Sequence, residues 1–161
     1  MLLKDYIPNL DKKYNNIFFS GISSDSSTVS KKHIFFAIKG NKLDGYNYIN
    51  QAIKKGANVI ITERNIIKKK ENVIFLHSSN VRKLLAKVSY KILNKKPKNL
   101  IAVTGTNGKS SIADFFYQIL NLNSKKAASI GTIGIRHKGS KKNLTNTTLD
   151  PIHLSSILKN L

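Results

Sequence analysis

The sequence predicts an α/β protein: a small N-terminal α/β domain followed by the beginning of a P-loop-type domain. Three observations predict it. Short apolar runs alternate with segments of helical period through the first hundred residues. A charged, proline-bearing stretch, NKKPKN at 94–99, interrupts that alternation as linkers do. A glycine-bearing loop then lies between an apolar run and an amphipathic segment, LIAVTGTNGKSSIADFF at 100–116.

Taken in order, residues 17–23 and 33–39 (HIFFAIK) read as strands. Residues 46–55 place Ile49, Ala52 and Ile53 on one helical face and stop at Gly56, a natural C-terminal signal. ANVIIT at 57–62 and NVIFL at 72–76 are continuous apolar runs, as expected of strands covered on both faces. Val81, Leu84, Leu85, Val88 and Ile92 then mark a long amphipathic helix. The predicted domains are residues 1–96 and 97–161. In the second, residues 100–103 read as a buried strand. Residues 110–122 read as a helix with Ile112, Phe115, Phe116, Ile119 and Leu120 inward. Residues 127–130 read as a further strand of an α/β unit, followed by a polar stretch rich in Gly and Lys. Asp150-Pro151 is a helix start, since Asp caps free amides and Pro suits the first turn. Leu154, Ile157, Leu158 and Leu161 supply that helix's apolar stripe.

Composition narrows the classes. A 40% hydrophobic, 22% charged chain of 161 residues is that of a soluble globular protein. No run approaches the roughly 20 apolar residues of a membrane span, and the N-terminus lacks a secretory pattern. With no cysteine, disulfides and thiolate sites are excluded. A cytoplasmic monomer is expected. The formal charge of +20 first suggests nucleic acid. Yet the basic residues are nearly all lysine and diffuse; the arginines are Arg64, Arg82 and Arg136. Nucleic-acid faces concentrate arginine and aromatics, so a Lys/Asn/Ile excess of an AT-rich genome explains the charge better. The histidines, His33, His77, His137 and His153, have no metal-ligand spacing.

The loop carries the chemistry. Backbone N–H groups at a helix start, with a lysine beside them, bind one anion. Gly105 and Gly108 permit close backbone approach, Lys109 would reach terminal phosphates, and the Ser110 hydroxyl would ligate Mg²⁺. Thr104, Thr106 and Asn107 would shape the loop. The common phosphate-loop pattern G-x-x-x-x-G-K-[ST] wants a glycine where this chain has Val103. A strand-to-helix turn that happens to hold two glycines would also fit the bare G-x-x-G-K-S.

TGTNGKS resembles the ATP-binding loop of the Mur ligase and folylpolyglutamate synthase superfamily, usually TGTNGKT, which also lacks the early glycine. SSDSSTVSKKHIFFAIKGNKLDGYNYINQAIKKGANVII resembles the N-terminal domain shared by the MurE and MurF types. The chain keeps Asp25, Ser26, Val29, Phe35, Ala37, Gly40, Asp44, Gly45, Ala52, Gly56 and Ala57 of that pattern. It departs at Ser27, where Arg is usual, and at Lys32, where Gly is common. SIGTIG (129–134) and NTTLDP (146–151) resemble the MurE type, whereas MurF wording differs there. The resemblance covers essentially the whole chain in register.

The resemblance implies a UDP-binding N-terminal domain and an incomplete ATP-binding central domain. It implies an ATP- and Mg²⁺-dependent amide ligase of peptidoglycan synthesis, with Lys109 catalytic. Such enzymes phosphorylate the D-glutamate side carboxylate of UDP-N-acetylmuramoyl-L-alanyl-D-glutamate, and a diamino acid, meso-diaminopimelate or L-lysine, then displaces phosphate. By position, Ser24, Ser26, Asn41, Lys42 and Leu43 would contact the uridine nucleotide. Asn146, Thr147 and Thr148 would hold the muramoyl-peptide end. A strand end at 24–27, a plain turn at 41–43 and strand-forming threonines before a helix cap are the structural alternatives. Ser27 removes a cation that could face the pyrophosphate. The family's later acid, carbamylated lysine, adenine contacts and C-terminal domain have no counterpart in these residues, so a catalytically incomplete piece is expected. A MurF-type ligase and a nucleotide-binding module without ligase chemistry are the alternative readings.

Overall fold

The computed structural model describes residues 1–40, 43–65, 72–93, 96–144 and 149–161. The chain divides into two compact units, Met1–Ile92 and Leu93–Leu161.

The first unit is built on a four-stranded, wholly parallel sheet in the order β1-β2-β3-β4. Its strands are β1 (Gly21–Ser23), β2 (His33–Ala37), β3 (Val59–Thr62) and β4 (Ile74–His77). The apolar runs explain the central pair: every residue of β3 and all but His33 of β2 are buried. The pairing sets Phe35 beside Ile60 and Phe36 beside Ile61. Because side chains alternate across a strand, Phe35, Ala37 and Ile60 share one face. There they meet Val29, Ala57 and the helix α1 (Ile49–Lys54) through Ile49 and Ala52. The helix α2 (Val81–Lys91) packs against β2, burying Val81, Leu85 and Val88. β4 differs from the expected doubly covered strand. It is half-buried and stands at the edge of the sheet, with β3 its one partner among the described residues.

Gly56 ends α1 with φ +103, and a Cβ there would approach the Lys31 Cα to 2.9 Å. An L side chain would therefore be strained twice over, by conformation and by crowding.

In the second unit, α3 (Lys109–Leu122) is followed by a three-stranded antiparallel meander. Its strands are β5 (Ala128–Gly131), β6 (Gly134–His137) and β7 (Ser140–Lys142). The expected strand after α3 is thus present, but it joins a meander rather than a parallel α/β unit. The polar stretch at 134–142 supplies the other two strands. The helix α4 (Pro151–Lys159) begins as its sequence dictates: the Asp150 carboxylate accepts from the amides of Ile152 and His153 at 2.8 and 2.9 Å.

Two expectations for this unit are corrected. Residues 100–103 form no strand, and Leu100 and Ile101 are exposed. No strand among the described residues lies alongside to complete a ladder, and an unpaired apolar run has nothing to bury it. Likewise Ile112, Phe115, Phe116 and Ile119 are exposed on α3. The buried side chain of that helix is Tyr117, on the side that carries Asp114.

Candidate functional site

Ligands of parallel sheets collect at the carboxyl ends of the strands, where the exit loops meet. In the first unit the residues after β1 and β2, which are neighbouring strands, occupy that edge. After β1 the chain makes a tight turn. The Ser23 Oγ lies 2.6 Å from both the Asp25 carbonyl and the Thr28 Oγ1, and the Asp25 carboxylate accepts from the Ser27 amide at 2.7 Å. That amide is the main reason the Asp25 carboxyl is held below its ordinary range, with Lys55 adding attraction. Lys55 also donates to the Ser27 carbonyl at 2.7 Å.

Within this turn the two candidate serines part company. Ser26 is buried and its hydroxyl donates to the Gln51 Oε1 at 2.8 Å, tying the turn to α1. Ser24 is half-buried at the carboxyl end of β1. After β2, Leu43 is exposed, and its carbonyl accepts from the Gly40 amide at 2.8 Å. Asn41 and Lys42, and in the second unit Asn146, Thr147 and Thr148, lie outside the described residues.

The phosphate-loop candidates are in the second unit. Thr104, Gly105, Thr106, Asn107 and Gly108 run directly into α3 at Lys109. Gly108 is the N-cap, in left-handed conformation at φ +76, and Gly105 has φ +146. Room is not the issue at Gly108, since a Cβ would meet nothing within 4 Å; the backbone conformation is. No side chain caps α3, so its first amides lack both an intrahelical acceptor and a side-chain partner. Lys109 folds back and donates to the carbonyls of Gly105 and, at 2.9 Å, Thr106. Ser110, next on the helix, is half-buried. Open amides, a helix N-terminus and an ammonium form a donor set suited to phosphate oxygens.

Sequence reasoning missed the arginines. All three are engaged: Arg64 with Asp44, Arg82 with the Lys39 carbonyl, and Arg136 with Asp114. Their scarcity among many lysines was a signal, because the guanidinium fork holds geometry that an ammonium does not. Among the described residues no three His, Asp or Glu side chains gather as a metal site, and no helix is long and apolar enough to cross a membrane.

This chain belongs to the Mur ligase family. Residues 19–97 match the profile described as "Mur ligase family, catalytic domain", and residues 103–161 match "Mur ligase middle domain". A similar protein is the UDP-N-acetylmuramoyl-L-alanyl-D-glutamate--2,6-diaminopimelate ligase of Rickettsia prowazekii (strain Madrid E). It is 40% identical over 157 residues, covering 95% of this chain and 32% of that relative. A solved structure of a ligase with the same name superposes with a TM-score of 0.76 at 26% identity, covering 94% of this chain and 31% of the other. A MurF ligase from Thermotoga maritima in complex with ADP superposes with a TM-score of 0.50 at 26% identity, over 66% of this chain and 24% of the other. The chain spans about a third of the length of the curated relatives it matches (32%).

Proposed function

We propose that these residues carry the UDP-substrate side and the phosphate loop of a MurE-type, ATP-dependent ligase, a cytoplasmic enzyme of peptidoglycan synthesis. The reaction joins a diamino acid to UDP-N-acetylmuramoyl-L-alanyl-D-glutamate. The observation that carries the reading is the loop 104–110: two glycines at positive φ lead into an uncapped helix that begins with Lys109. The superposition over 94% of the chain favours the MurE type over MurF, which aligns over 66%. In the domain terms of the family, residues 1–96 hold the uridine nucleotide and 97–161 open the ATP-binding domain.

When bound, ATP with Mg²⁺ supplies the phosphoryl group that activates a carboxylate. Lys109 leaves the carbonyls of Gly105 and Thr106 and places its charge against phosphate oxygens. The amides from Gly105 to Ser110 orient the same anion, and Thr104, Thr106 and Asn107 shape the cradle. Ser110 offers one hydroxyl to the metal. Bringing an anionic carboxylate and a phosphate chain together is opposed by repulsion, and these fixed donors offset it. On the nucleotide side, Ser24, Asn41, Lys42 and Leu43 line the uridine pocket. Ser26 contributes by fixing the turn. Asn146, Thr147 and Thr148 hold the muramoyl-peptide end.

Among the described residues no three His, Asp or Glu side chains gather as a metal site to complement the Ser110 hydroxyl. The 161 residues by themselves are therefore expected to bind ATP and the UDP-substrate without joining product. Fluorescent-ATP titration with Lys109→Ala, together with a phosphate-release assay using UDP-substrate and each diamino acid, tests this. Equal binding by wild type and Lys109→Ala would remove the loop from the reading, and turnover by the 161 residues would remove the claim of incompleteness.

A further inference from the structure

A cleft on the first unit stands apart from the edge that carries the candidate nucleotide residues. It measures 230 Å³ and is lined by Lys4, Tyr6, Ile7, Pro8, Lys87 and Lys91. The start of α2 sits beside the exit of β3, where the Glu63 carboxylate accepts from the Val81 amide at 3.1 Å. The helix is 11 residues long, roughly 15 Å at helical rise, so Lys91 at its far end is well removed from that exit. There the Lys91 ammonium stands over the Tyr6 ring, 5.9 Å from its centroid. Tyr6 in turn packs edge-on against Phe19, just before β1, with centroids 5.3 Å apart.

The floor of the cleft is held by a bonded frame. The Met1 ammonium donates to the Phe19 carbonyl at 3.0 Å, and the Phe19 amide to the Met1 carbonyl at 2.9 Å. Leu3 is fully buried, and its carbonyl accepts from the amide of buried Ile7 at 2.9 Å. Tyr6, Ile7 and Pro8 thus offer an apolar surface that needs little ordering on binding.

The rim is cationic. Lys83, Lys87 and Lys91 recur at four-residue spacing on one stripe of α2, and Lys4 joins the last two at the cleft from the N-terminal segment. Like charges one helical turn apart repel. The ion pairs among the described residues include none of these lysines, and Asp5 does not line the cleft. Lysines are diffuse over this chain, yet here three of them converge on one apolar floor. An ammonium offers three donors and no acceptor, so the complement is an anion. The floor suits a flat apolar body. The cleft is smaller than the roughly 300–1,000 Å³ of drug-sized pockets, which limits the ligand to one ring system and its charged group.

We propose that this cleft is a separate binding site for a small aromatic phosphate monoester. The ring lies on the floor made by Tyr6, Ile7 and Pro8, and the phosphate sits among Lys4, Lys87 and Lys91. The site shares no residue with the phosphate loop and does not rest on the ligase reading.

The test is an NMR titration of the 161-residue chain at about 0.15 M salt, where widely spaced charges are screened. The probes are AMP, phenyl phosphate, adenosine and inorganic phosphate. Saturable shifts at the amides of Tyr6, Ile7, Lys87 and Lys91 are expected with phenyl phosphate, and with AMP as well if the source is a nucleotide. Adenosine and inorganic phosphate, which each lack one half of the ligand, should bind there about tenfold more weakly. Shifts at the amides of 105–110 report the phosphate loop separately, so either site can fail without the other. Lys87→Gln/Lys91→Gln should weaken phenyl phosphate binding at the cleft about tenfold or more. It should not lower the melting temperature, because it relieves a like-charge pair. Cleft amides that respond to neither aromatic phosphate overturn the site. Inorganic phosphate binding as tightly as phenyl phosphate, or affinity unchanged in the double variant, overturns it equally.

Discussion

Arg136 on β6 grips the carboxylate of Asp114 on α3, joining the helix to the meander of the second unit. The same guanidinium lies 5.3 Å from the centroid of the Tyr117 ring, and Gln118 donates to the other Asp114 oxygen at 2.7 Å. Arg136 is the chief reason the Asp114 carboxyl is held below its ordinary range. A depressed carboxylate stabilises the fold above its unfolded pKa, near 3.9, and that stability is lost as pH falls through the lowered value. Asp114→Asn should therefore lower the melting temperature at neutral pH and flatten the acid limb. Because Asp114 is committed to Arg136, ATP-analogue affinity should stay within about twofold. Melting curves and a nucleotide titration on the same variant check both, and a large loss of affinity would place Asp114 in the site.

Gly108 separates conformation from space. At φ +76 with nothing near a virtual Cβ, Gly108→Ala meets only the backbone penalty, about 1–2 kcal/mol. Gly108→Asn should cost less, since Asn tolerates the left-handed region. Urea unfolding of the two variants measures the difference, and the nucleotide titration should follow the same order.

His33 gives a pH dependence in a different window. Burial pushes its imidazole below the ordinary value, and its Nδ1 is buried with no partner among the described residues. The folded state thus takes up a proton less readily than the unfolded chain. Its contribution is complete above the unfolded pKa, near 6.5, and is lost as pH falls from there towards the lowered value. Melting temperature should drop as pH falls below the ordinary histidine value, near 6.5, well above the carboxylate window. His33→Phe should remove that part of the slope while filling the space beside Gly21. An unchanged slope would mean that another group titrates.

The uncovered stripe of α3 makes a solution prediction. Ile112, Phe115, Phe116 and Ile119 present a contiguous apolar face, the kind of patch that drives association. Wild type should bind an apolar dye such as ANS and self-associate at high concentration. Phe115→Lys, at a position 62% exposed, should reduce both with no loss of melting temperature. Tyr117→Ala should do the opposite, loosening the unit because that ring is buried. Dye titration and light scattering distinguish the two.

Much of the first unit was legible because its signals are local. Apolar runs gave the central strands and Gly56 gave the end of α1; in the second unit Asp150-Pro151 gave the start of α4 in the same way. The α3 stripe was legible as a period but not as a burial, since periodicity says which residues share a face and not what covers it. Parallel and meander arrangements were not separable at 127–142, where short polar strands owe their form to partners. At the site, the wording of the loop was readable residue by residue. The direction of the Ser26 hydroxyl towards Gln51 and the grip of Arg64 on Asp44 were not. Both bonds join residues about 20 or more apart, which only the fold brings together.

The strand order of the first sheet has a bearing on how the protein is made. Among the described residues each strand of this sheet pairs only with its neighbours in chain order, so the sheet can grow one strand at a time from the N-terminal end. No pairing waits for a distant segment, and loop-closure entropy stays modest at every step. The first unit can therefore begin to fold before the rest of the chain has left the ribosome. Folding intermediates with a free β2 or β3 edge would be short-lived, sealed by the next strand to emerge.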